Sequence, residues 1–151
     1  MKLPQRLENA LNKLYKAYLT NQLHPEDACR CAVGNILNNN DSWKHLSDSH
    51  GSLELNYIGK VHQAFGKKFQ GYSPSELLAI EAAFLKGCGY SLPFSYQGKK
   101  PKFPKGEMTL FNGLQEAISL LCSLDNVKNV MEITQLFHVE KIKKEKMSVV
   151  I

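Results

Sequence analysis

No segment of this 151-residue chain stays apolar for the roughly 18 residues needed to cross a bilayer, and its most apolar stretch, Leu77 to Leu85, is interrupted by Glu81. Runs of β-branched residues alternating with polar ones are absent as well, which removes the pattern of a half-buried strand. There is one tryptophan and there are only four cysteines, Cys29, Cys31, Cys88 and Cys122. The amino-terminal segment lacks the apolar core and small-residue cleavage site of a secretory signal, so the expected address is cytoplasmic, with reduced thiols and no disulfide framework. A phosphate-cradling glycine loop, a dinucleotide fingerprint, a Ser-His-Asp order and EF-hand ligand spacing are all missing. No residue is therefore assigned as catalytic, and no catalytic activity of its own is expected.

The chain length fits one domain, since domains cluster at roughly 100–150 residues. An apolar fraction of 43% and a charged fraction of 22% are those of an ordinary globular protein with a real core. Helical periodicity fills that core. Leu7, Leu11, Leu14, Tyr15 and Tyr18 recur at helical spacing, with Pro4 suited to the first turn. A second helix is expected from Pro25 through Gly34, dying in Asn38-Asn39-Asn40-Asp41, and a short helical turn follows at Trp43 to Leu46, capped by Asp41 or Ser42. Ile58, Val61, His62, Phe65 and Phe69 mark a third helix ending near Gly66.

The fourth helix carries a capping box, Ser73-Pro74-Ser75-Glu76, and the stripe Leu77, Ile80, Phe84, Cys88, with Gly87 and Gly89 at its stop. Three prolines keep the segment from Gly89 to Met108 out of regular helix. A fifth helix places Phe111, Leu114, Ile118, Leu121 and Cys122 inward, and a last one runs from about Val127 to Phe137. The chain reads as an all-α, single-domain bundle of five or six helices over residues 1–138 with one long Pro/Lys-containing loop. A charged tail follows at 139–151.

Three clusters are candidate sites. The four thiols offer a zinc ion or an iron–sulfur cluster its ligands, but free cysteine is also a habitual core residue. On a helix Cys29 and Cys31 diverge, leaving Cys31 with Cys88 and Cys122 as the thiols to watch. The segment Trp43 to Gly51 adds His45, Asp48 and His50 as nitrogen and oxygen ligands, a mixed set acceptable to zinc. The third cluster is the long loop, where Tyr90, Phe94, Tyr96 and Phe103 are interleaved with Lys99, Lys100, Lys102 and Lys105. Cations and rings together suit a single-stranded nucleic acid, and pinning rings under a surface loop suit the same residues.

The blocks Cys31-Ala32-Val33-Gly34-Asn35, Ser42-Trp43-Lys44-His45-Leu46-Ser47-Asp48 and Phe84-Leu85-Lys86-Gly87-Cys88-Gly89-Tyr90-Ser91-Leu92-Pro93 resemble a family of short bacterial proteins. Members of that family are named after the flavoprotein component of the Na+-translocating NADH-quinone reductase. The resemblance implies a link to the respiratory NADH-quinone reductase. It carries no residue role with it, because the plant-type cysteine spacing of that flavoprotein's ferredoxin domain has no counterpart here.

The residues together favour a small, non-catalytic module that binds a protein partner through Trp43 and the loop residues just named, with no cofactor. The alternatives are a thiol- or histidine-ligated metal or redox accessory protein and, behind it, single-stranded nucleic-acid binding by the basic loop. The net charge of +5 permits nucleic acid without requiring it. No membrane insertion is expected. Partner, substrate and oligomeric state are not specified by the residues.

Overall fold

The computed structural model describes residues 3–92 and 98–128. The helix expected over most of Val127 to Phe137, the 139–151 tail, Phe94 and Tyr96 lie outside them. Among the described residues the regular elements are all helical: α1 (Gln5–Leu19), α2 (Ala32–Ile36), a 3-10 turn (Lys44–Leu46), α3 (Tyr57–Ala64), α4 (Pro74–Cys88) and α5 (Glu107–Leu124). The one β-type pairing there is an isolated bridge between Phe69 and Tyr72. None of these helices is long and apolar enough to cross a membrane.

The apolar stripes read from the sequence form the core. Leu7, Leu14 and Tyr18 of α1 meet Leu77, Ile80 and Phe84 of α4 and Leu114, Ile118 and Leu121 of α5 in one buried cluster. Helices α4 and α5 pack backbone to backbone because glycines face each other's helix. A Cβ at Gly87 would stand 2.6 Å from the Asn112 carbonyl oxygen, and one at Gly113 would run into the Cys88 sulfur. The start of α4 is the expected capping box: Glu76 N–H donates to Ser73 Oγ at 3.2 Å and Ser73 N–H donates to Glu76 Oε1 at 2.9 Å. Gly89 stops it at φ +106°, where any other residue would be strained. Arg6 ties three helices together, donating to Asp125 at 2.7 Å and Glu76 at 3.2 Å with its guanidinium 4.6 Å over the Tyr72 ring.

Three local expectations are corrected. Pro4 is the N-cap of α1 and not a first-turn residue. The helix expected from Pro25 begins only at Ala32, because Asp27 folds the chain back on itself. Its side chain accepts from Cys29 N–H at 2.9 Å and its carbonyl from Arg30 and Cys31 N–H, which closes turns instead of a helix. The 3-10 turn takes Trp43 as its N-cap with no side-chain cap, and Asp41 serves it through its backbone carbonyl, which accepts from Lys44 N–H.

Candidate metal centre

Because α2 starts late, Cys31 is not a mid-helix residue but its N-cap. The sulfur accepts from Gly34 N–H at 3.4 Å, and the side chain is wholly buried. Two asparagines hold the turn that carries it. Asn35 Nδ2 donates to the carbonyls of Arg30 and Cys31, and Asn39 Nδ2 donates to the Cys29 carbonyl and to Asn35 Oδ1. Gly34 lets that turn lie on α2, since a Cβ there would stand 2.5 Å from the Cys29 carbonyl carbon.

His50 comes from the loop after the 3-10 turn. Gly51, at φ +86°, allows the loop to reverse against Leu92. The imidazole stacks edge-on to Trp43 at 5.9 Å between ring centres, and the buried Trp43 indole donates its N–H to the Ala28 carbonyl at 3.1 Å. The third group is Glu81, in the middle of α4 and only 1% exposed. Its Oε1 accepts from Val33 N–H at 3.2 Å and its Oε2 lies 2.8 Å from His50 Nε2.

A sulfur, an imidazole nitrogen and a carboxylate oxygen thus lie within 4.8 Å of one another at Cys31, His50 and Glu81, a group that can hold a metal ion. Electrostatics follow from the geometry. Burial, and next the facing Glu81 carboxylate, push the Cys31 thiol well above its ordinary pKa. The same two causes, in the same order, push Cys88 up to about 12. A thiol so held is the reverse of an activated nucleophile, whose pKa is lowered and whose sulfur is accessible.

Of the residues singled out from sequence, Cys31 and His50 come together. His45 and Asp48 are exposed: Asp48 accepts from Asn56 Nδ2 at 3.2 Å, and the His45 ring stands 5.8 Å from that of His62. Cys88 of α4 and Cys122 of α5 are buried but do not join the converging group, and Cys29 is half-buried. Glu81 was missed, although it is the single charge inside the most apolar stretch, and an acid in that place is the signal that could have found it. Trp43 and Tyr90 are buried, with Tyr90 Oη donating to Glu26 Oε2 at 2.8 Å, whereas Phe103, Lys99, Lys100, Lys102 and Lys105 are exposed.

The His50 side chain is 18% exposed and helps line a surface pocket of about 380 Å³ with Trp43, Lys44, His45 and Glu26. Solvent therefore reaches the cluster from the histidine side. Comparison with protein-family models, with curated proteins and with solved structures gives no match to this chain.

Proposed function

We propose that the chain is a zinc-binding helical accessory protein, with Cys31, His50 and Glu81 as the protein ligands. The observation that carries this reading is the convergence of three different ligand types in a buried place. Zinc takes cysteine, histidine and carboxylate donors, and this mixed set is of its borderline-soft kind. Charge supports it further. A thiolate and a carboxylate facing each other repel, and the thiol stays protonated; a divalent cation between them, with a neutral imidazole, brings the net charge to zero. Three protein ligands leave a fourth position for water or a partner's side chain, on the side where His50 meets solvent.

The ligands come from three separated segments, so binding them to one ion staples the N-cap of α2 and the His50 loop to α4. Metal affinity is then folding free energy. The role is structural or accessory, in line with a thiol too buried and too high in pKa to attack a substrate.

The test is titration of the chelator-treated full chain with Zn²⁺ and Co²⁺. One ion per chain is expected, with a thiolate-to-cobalt charge-transfer band and a raised melting temperature. Cys31→Ser is expected to remove that band and to weaken binding by more than the roughly 10–100-fold typical of outer-sphere changes. A folded protein that binds neither metal, or a Cys31→Ser variant that binds both as tightly, would show the cluster to be a hydrogen-bonded piece of core.

A further inference from the structure

Helix α3 is mounted with its apolar face outward. Tyr57, Val61 and Phe65 are four residues apart and share one side with Ile58. Tyr57 is 81% exposed, Phe65 85% and Ile58 48%. The side turned inward is that of Gly59, the buried residue of the helix, which lies so close to the Leu46 carbonyl that a Cβ would clash with it. Neighbouring Gln63 anchors the same helix, its Oε1 accepting from Ser75 N–H at 2.8 Å. A helix held by its glycine side leaves its large side chains without protein cover, and contiguous bare apolar surface marks an interaction site.

The charge along α3 and just beyond its end is positive, and the exposed acids Asp48 and Glu54 stand at its N-cap end, where Asp48 accepts from Asn56 Nδ2. Lys60, Lys67 and Lys68 are exposed, and no aspartate or glutamate occurs between Glu54 and Glu76. Glu76 is engaged by Arg6, and Glu54 stands two residues before the Asn56 N-cap, at the edge of the patch. Lys67 Nζ lies 5.2 Å over the Phe69 ring, so the basic and aromatic groups are interleaved.

We propose that this face of α3 adsorbs to an anionic lipid bilayer, with Tyr57, Ile58 and Phe65 entering the boundary between headgroups and acyl chains. Lys60, Lys67 and Lys68 then meet the lipid phosphates. Apolar area plus attraction to anionic lipid is what holds interfacial helices, and aromatic rings favour that boundary. Lysine alone supplies the positive charge, whereas protein–protein interfaces favour arginine and are depleted in lysine. A second copy of the chain is a poor occupant, because it would bring two sets of these lysines together. The surface is separate from the zinc centre, and its test does not depend on metal.

The experiment is sedimentation of the full-length protein with phosphatidylcholine vesicles, with and without phosphatidylglycerol. Binding is expected only to the anionic vesicles and should weaken as salt screens the lysines. Phe65→Ser should reduce it by about tenfold or more. Changing Lys60, Lys67 and Lys68 to glutamine should cost roughly fivefold each. These side chains are exposed, so the circular dichroism spectrum should not change. Failure to sediment with anionic vesicles, equal sedimentation with neutral ones, or unchanged binding by the variants overturns the proposal. So does self-association that Phe65→Ser abolishes without lipid. Binding to polyglutamate as tight as to vesicles would assign the face to an acidic protein instead.

Discussion

Glu81 and Trp43 are the residues on which the His50 loop depends. Burying a carboxylate is tolerable only when its partners are in place. Here they are the Val33 N–H and His50. Removing one member of such a pair costs roughly 3–5 kcal/mol, and the partial exposure of His50 puts Glu81→Ala near the lower figure. Glu81→Gln keeps an oxygen for Val33 N–H and should lose less stability, yet bind no zinc. Urea unfolding with chelator present, followed by zinc titration, separates the two effects. Trp43→Ala removes a buried ring, its hydrogen bond to Ala28 and the wall behind His50. It should cost about 3–5 kcal/mol, and a loss within about 0.5 kcal/mol would show that the indole is not packed.

Among the elements, α4 was the most legible from sequence because its signals are local. The Ser73–Glu76 box and Gly89 act over four residues, and the hydrogen bonds they imply are present. Ser73→Ala should cost about 1 kcal/mol in thermal unfolding. Two glycine substitutions distinguish packing from backbone preference. Gly113→Ala forces a methyl into the Cys88 sulfur and should be strongly destabilising, whereas Gly66→Ala meets nothing within 4 Å and suffers only its φ of +73°. A loss of about 1 kcal/mol is expected for the latter. Helix α2 was the least legible. Pro25, Glu26 and Asp27 look like a helix start, and Asp27 also builds the competing turn that the structure adopts. With α3 the periodicity located the helix but carried it to Phe69, which lies beyond its end in a bridge to Tyr72, while Gly59 chose which side would be buried.

For the molecule as a whole, the raised thiols and phenols set how stability responds to alkali. Cys31, Cys88, Cys122, Tyr72 and Tyr90 all have pKa values pushed up, in each case by burial first. A group whose folded pKa exceeds its unfolded one stabilises the fold fully below the unfolded value and loses that contribution as pH climbs to the folded one. For Cys88 the window runs from 9.0 to about 12. The chelator-treated protein should therefore melt at progressively lower temperature across that window. With zinc bound, Cys31 is already a thiolate and drops out of this slope. Zinc affinity should itself rise with pH, because the thiol proton must leave. Thermal melts with and without zinc on either side of pH 9 check both signs.

By itself the sequence determined the all-α class, the presence and inward stripes of α1, α4 and α5, and the caps of α4, since periodicity and capping are fixed by residues within one or two turns. Tertiary structure alone decided that Glu81 meets His50 across 31 residues and the Val33 N–H across 48. It also decided that α3 presents its apolar face to solvent. Those outcomes depend on how separate segments pack, on Gly34, Gly51 and Gly59 permitting close approach, and on Asp27 preferring a turn, and none of these leaves a periodic trace in the chain.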